Sequence, residues 1–138
     1  LEDELRAEVA ALGLEDSVHF AGVRTDMPAV YRAADVVLLP STHGENLPTV
    51  LIEASATGRA VAASRIGGIP DIVADGDTGL LFEPHDPAAL AEVVNKLLAD
   101  ASLRDTLGSA AEVRAREHFS SDAWMARLAD TYTEIVAR

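Results

Sequence analysis

The sequence predicts an α/β domain of the doubly wound (Rossmann-like) class, a parallel sheet with helices on both faces. Three observations predict it. Short apolar runs at Val36–Leu39, Ala60–Ala63 and Leu80–Phe82 alternate with helical patterns at the spacing of strand–helix–strand units. Turn and cap residues, among them Gly13, Gly58, Gly67-Gly68 and Asp86-Pro87, punctuate those units. The chain has 138 residues, 49% of them apolar, which is enough for one domain with its own core and too apolar for a disordered tail.

Taken in order, Leu1 to Leu12 reads as an amphipathic helix, with Leu1, Leu5, Val9 and Leu12 on one stripe, acids in the first turn and Gly13 as the stop. A strand is expected at Val18-His19-Phe20, ending at Ala21-Gly22. Asp26 is expected to cap a short helix running through Tyr31 to Ala34, and Asp35 leads into the strand Val36–Leu39. Pro48 then opens a helix that stops at Gly58; proline suits a first helical position because its missing N–H would be unpaired there anyway. After the strand Ala60–Ala63, Gly67-Gly68 makes a bend and Pro70 opens a short helix to Ala74. Gly76-Asp77 turns the chain into the strand Leu80–Phe82. Asp86 caps and Pro87 starts a helix with Leu90, Val93, Val94, Leu97 and Leu98 on one face, and helices near 102–117 and 122–137 finish the chain.

Composition excludes several functions. The formal charge of −12, from 23 acids and 11 bases, leaves no basic face for sequence-independent nucleic-acid binding. Without cysteine there is neither a disulfide framework nor a thiolate metal site, and a cytoplasmic location is compatible. No apolar run approaches the roughly 20 residues of a membrane span. The chain begins on Leu1 and its first residues do not resemble a signal peptide, so it reads as part of a longer protein.

In a doubly wound sheet the ligand sits at the carboxyl ends of the strands, and the loops Ala21–Asp26, Pro40–Pro48 and Ser64–Pro70 all lie there. The stretch Pro40–Gly58 carries the chemistry. Glu45 falls in the loop near the positive end of the helix dipole, and Glu53 lies about 7 Å further along the helix. A glutamate in mid-helix is usually a solvated side chain. Glu53, however, interrupts a run that is apolar nearly all round, so its carboxylate is expected to face a cleft.

This pattern resembles the donor-binding signature of retaining GT-B glycosyltransferases of the glycosyltransferase 4 type, also called glycosyl transferases group 1. The resemblance runs from Val18 through Ala34-Asp35-Val36, Pro40-Ser41, Glu45, Glu53, Gly67-Gly68-Ile69-Pro70, Asp75-Gly76-x-Thr78-Gly79-Leu80 and Asp86-Pro87-x-x-Leu90 to Phe119-Ser120. It implies the C-terminal, donor-binding domain of such an enzyme. That domain would occupy residues 1–138 and be partial, lacking the family's first two strands. It implies a nucleoside-diphosphate sugar (UDP-, GDP- or ADP-) as donor, no metal and no other cofactor. It also implies an acceptor glycan, lipid or small molecule held mainly by a separate N-terminal domain, and leaves membrane association of the full protein open.

The same resemblance assigns the residues. Glu45 would contact hydroxyls of the transferred sugar as the catalytic-site carboxylate. Glu53 would accept hydrogen bonds from the ribose, for which a carboxylate is a natural bidentate acceptor. Leu47 would belong to the donor-binding site, and Thr49 and Val50 would lie at the pyrophosphate, their amides being candidate donors at the helix N-terminus. Pro48 stands where many relatives have glycine. Gly22 and Val23 would lie near the base, and His43 near the donor. Gly67-Gly68 either permits close backbone approach or provides positive φ in a sharp bend.

Other features read as structural. Asp75-Gly76-Asp77 matches an Asp-x-Asp metal pattern but precedes an apolar strand, and reads as a turn. The four histidines, His19, His43, His85 and His118, lack metal-site spacing. Arg65 reads as a surface arginine sooner than a phosphate ligand. Ser41 and Ser64 lack triad partners. The alternative function is a non-catalytic nucleotide-binding or interaction module of the same fold.

Overall fold

The computed structural model describes residues 1–137. Its sheet contains three parallel strands, β1 (Val36–Leu39), β2 (Ala60–Ser64) and β3 (Leu80–Phe82), in the order β1-β2-β3. Val36 pairs with Ala60, and Ala62 with Leu80. Every residue of the central β2 is buried, and its alanines let helices approach closely on both sides. Side chains alternate along the strands. Val61, Ala63 and Leu81 point into one core with Tyr31, Leu51, Ala54, Ile69 and Ile72, whereas Ala60, Ala62, Leu80 and Phe82 point into another with Leu97 and Leu107. The predicted two-sided architecture is thus present.

Helices α2 (Met27–Ala33), α3 (Thr49–Ala56) and α4 (Ile69–Ile72) supply the first core. The second is covered by α5 (Pro87–Ala99) and by α6 (Ala101–Phe119), which also packs along α3. The Asp86 carboxylate accepts the amides of Ala88 and Ala89, with Pro87 in the first turn, so the predicted cap of α5 is formed. Ser120 caps α7 (Ser121–Val136) through the Ala123 amide. No helix among the described residues is long and apolar enough to cross a membrane.

Four local expectations require correction. Val18–Phe20 is not a strand; a strand needs a ladder partner, and β2 pairs with β1 on one side and β3 on the other. The Phe20 ring lies under the Arg6 guanidinium, 4.2 Å from its centroid. The first helix, α1 (Glu2–Ala11), forms, but no residue of it is buried and Leu1, Leu5 and Leu12 are exposed. Asp26 occupies the N-cap position of α2 without a side-chain cap bond, because its carboxylate grips the Arg24 guanidinium at 2.6 and 2.8 Å. That hydrogen bond holds the Asp26 carboxyl below the usual range. Pro48 is the N-cap of α3, one position earlier than predicted, with extended backbone (φ −72°, ψ 94°).

Candidate functional site

The site is built where β1 hands the chain to α3 and β2 hands it to α4. Pro48 is buried and has no side-chain oxygen, so no side chain caps α3. Its first amides, those of Thr49 and Val50, have no partner within the helix by its geometry, and Thr49 is exposed. This leaves the start of α3 an open group of donors beside Glu45.

Two neighbours hold Glu45. The Ser41 hydroxyl donates to Oε1 at 2.8 Å, and the backbone carbonyl of Glu45 accepts the Gly68 amide at 2.7 Å. The second contact explains the glycine pair. Gly67 has φ +55°, and a Cβ on it would overlap the Glu45 carbonyl oxygen; a Cβ on Gly68 would overlap that of Asn46. The structural reading therefore applies: Gly67 takes a positive φ, and the close approach at both glycines is to the chain's own Glu45-Asn46 backbone. Glu45 itself is half-buried.

Glu53 is exposed along α3, so the expectation that its carboxylate is sheltered in a cleft does not hold for this chain. It is nevertheless not a free surface side chain. Oε2 accepts a hydrogen bond of 3.0 Å from the hydroxyl of Tyr31 on α2, whose ring is buried in the core with 4% of its surface exposed. Burial, reinforced by the neighbouring carboxylate, pushes the Tyr31 hydroxyl up to about 12. The hydroxyl is thus a fixed donor at any ordinary pH.

The remaining predicted residues are distributed differently. Leu47 is exposed and borders an apolar groove of about 440 Å³ that it shares with Ile52, Phe119, Trp124 and Met125. His43 is exposed, with Nδ1 2.9 Å from the Thr42 hydroxyl and its ring edge-on to His85 at 6.4 Å. Gly22 has open space around it and Val23 is 98% exposed; no hydrogen bond described joins either to the glutamates. The structure thus brings together Glu45, Gly67 and Gly68, joins Glu53 to α2, and leaves Gly22 and Val23 on open surface.

The residues set aside are used by the fold. Asp75 Oδ1 accepts the Leu81 amide while Oδ2 pairs with Arg65, which also reaches Glu83 at 3.3 Å. The Gly76 amide bonds the Gly79 carbonyl at 2.8 Å, which makes this stretch the turn that was predicted. The Ser64 hydroxyl is buried without a hydrogen-bond partner among the described residues, so no histidine activates it. Among the described residues no three histidine or acidic side chains are placed to share a metal ion.

Sequence reasoning missed Tyr31 and the Ser41 contact. Ser41 lies four residues before Glu45 in one loop, a spacing that was open to notice. Tyr31 is 22 residues from Glu53, and nothing local signals the pairing.

The chain is similar to several known proteins. The family model for glycosyl transferases group 1 matches residues 1–114. A D-inositol 3-phosphate glycosyltransferase of Salinispora arenicola is 42% identical over 130 residues, covering 93% of this chain and 29% of that protein. An exopolysaccharide phosphotransferase of Streptomyces coelicolor is 36% identical over 97% of the chain and 14% of its own length. The chain therefore spans less than a third of these relatives. Among solved structures, Anabaena HepE in complex with UDP superposes with a TM-score of 0.91 at 32% identity, over 96% of this chain and 36% of that one. Sucrose-phosphate synthase from Thermosynechococcus elongatus gives 0.87 at 34% identity, over 98% and 34%. A family match across most of the chain, with the same fold in relatives of this similarity, means that the chain belongs to the glycosyl transferases group 1 family.

Proposed function

We propose that this chain is the donor-binding part of a retaining GT-B glycosyltransferase that uses a nucleoside-diphosphate sugar. The observation that carries the reading is the single strand–loop–helix unit. It sets a half-buried carboxylate, an uncapped helix start and a tethered second carboxylate in succession. A nucleotide sugar presents hexose, pyrophosphate and ribose in that same succession. The pyrophosphate suits the open amides of Thr49 and Val50, the ribose diol suits Glu53, and sugar hydroxyls suit Glu45.

Transfer then breaks the bond between the anomeric carbon and the β-phosphate oxygen and makes one to the acceptor oxygen on the same face, the acceptor proton leaving with the diphosphate. The contribution of this chain is electrostatic, through fixed donors at the departing phosphate. The reading needs no divalent ion. It also puts the chemistry in the cytoplasm, at most peripheral to the inner face of the membrane, with the acceptor held by a separate domain. The relative solved with UDP and with UDP-glucose favours a uridine nucleotide over GDP or ADP.

The test is calorimetric titration of the full-length protein with UDP, GDP and ADP, beside Glu53→Ala. The substitution is expected to weaken the preferred nucleotide by about 1–3 kcal/mol, the scale of a charged hydrogen bond lost, with folding retained. Unchanged affinity would remove Glu53 from the site. Nucleotide binding without any sugar transfer would instead favour a non-catalytic nucleotide-binding module.

A further inference from the structure

We propose that Tyr31 is a positioning residue: its hydroxyl holds the Glu53 carboxylate in the orientation that receives a ribose diol, and so sets the discrimination between ribose and deoxyribose. The inference rests on reading Glu53 as the ribose acceptor. An exposed glutamate on a helix has three rotatable bonds, and ordering it around a ligand costs rotamer freedom. Here part of that freedom is already lost. Oε2 is 3.0 Å from a hydroxyl whose ring is packed among Leu51, Ala54 and Ile69 and cannot follow the carboxylate outward. The donor is rigid although the acceptor is exposed.

The lone-pair count matches a diol. A carboxylate offers about four acceptor positions, and Tyr31 uses one on Oε2. Both positions on Oε1 and the second on Oε2 remain, enough for two vicinal hydroxyls. With its proton retained to about 12, Tyr31 does not repel the carboxylate as a phenolate would. Neighbouring α3 residues offer no substitute donor: Ile52 and Ala54 are apolar, and no other hydrogen bond to Glu53 is formed among the described residues.

The experiment uses the full-length protein and whichever of UDP, GDP and ADP binds it most tightly, beside the 2′,3′-dideoxy form of that nucleotide. Tyr31→Phe keeps the buried ring and removes only the donor. It is expected to weaken the ribonucleotide about 5- to 20-fold, the effect of one lost supporting hydrogen bond, and to leave the dideoxy nucleotide within about 2-fold. The ribose preference then collapses selectively. In a Glu53→Ala background Tyr31→Phe is expected to have no further effect on that preference. Equal weakening of both nucleotides would show a merely structural tyrosine, and no weakening of either would show an unnecessary one; each overturns the proposal. If Glu53→Ala itself leaves the ribose preference intact, or no nucleotide binds, the reading of Glu53 has failed and the inference with it. If Glu53→Ala abolishes the preference while Tyr31→Phe does not alter it, only the role of Tyr31 has failed.

Discussion

At the scale of single residues, each of the two glutamates keeps one oxygen on a neutral hydroxyl, Ser41 for Glu45 and Tyr31 for Glu53. The backbone of the first is fixed as well. Gly68 has an ordinary φ of −83°, so alanine there meets no conformational penalty; the cost is steric, since the new methyl would overlap the Asn46 carbonyl oxygen. Gly68→Ala is therefore expected to push the Glu45 loop away from α4 and to lose the amide bond to the Glu45 carbonyl. The predicted outcome is a loss of about 1–3 kcal/mol in urea unfolding of the full-length protein, with a fall in kcat at saturating donor. Wild-type kcat in Gly68→Ala would show that the position of the Glu45 loop does not govern turnover. Glu53 stood out in the sequence as a charge amid Val50, Leu51, Ile52 and Ala54, whereas Glu45 was singled out by the family resemblance. The Tyr31 tether was not legible, because a contact between α2 and α3 is created by packing and leaves no trace in local spacing.

At the scale of elements, the strands were legible wherever an apolar run ends up with a partner. Val36–Leu39, Ala60–Ser64 and Leu80–Phe82 have partners; Val18–Phe20, with His19 at its centre, has none, so a strand in isolation was the wrong unit of prediction. The cap of α5 was legible because Asp-Pro acts locally, whereas Asp26 was misassigned because Arg24, two residues away, competes for its carboxylate. The Asp75-Gly76-Asp77 turn is the element whose reading matters most for chemistry. Both oxygens of Asp75 are engaged, one by the amide of Leu81 in β3 and one by Arg65. Asp75→Ala is expected to cost about 1–2 kcal/mol of stability, measured by denaturant unfolding. Transfer by the wild-type protein is expected to persist after exhaustive chelation. Loss of activity with EDTA and its return with manganese or magnesium would contradict this assignment.

At the scale of the whole molecule, the three strands leave one side of β1 without a ladder, and the apolar surface near it is not fully covered. Among the described residues β1 bonds to β2 alone, Leu38 is 40% exposed, and Leu1, Leu5 and Leu12 of the α1 stripe are exposed. An apolar parallel edge of this kind invites pairing with another chain. We propose that in the full-length protein two further strands complete this sheet, one pairing with β1 and one giving Val18–Phe20 a neighbour. These residues expressed alone are therefore expected to be catalytically inert, and to self-associate or melt with low cooperativity. A version extended upstream through both strands is expected to be monomeric and to melt in one sharp transition. Sedimentation velocity and thermal melts of the two forms decide the matter. The discriminating quantity is the difference between them: the added strands bury Leu38 and the α1 stripe, so the gain in stability should come with loss of the concentration-dependent species. A short form as monomeric and as cooperative as the long one would mean that the β1 edge is already satisfied, and that the missing ladder is not what Val18–Phe20 lacks.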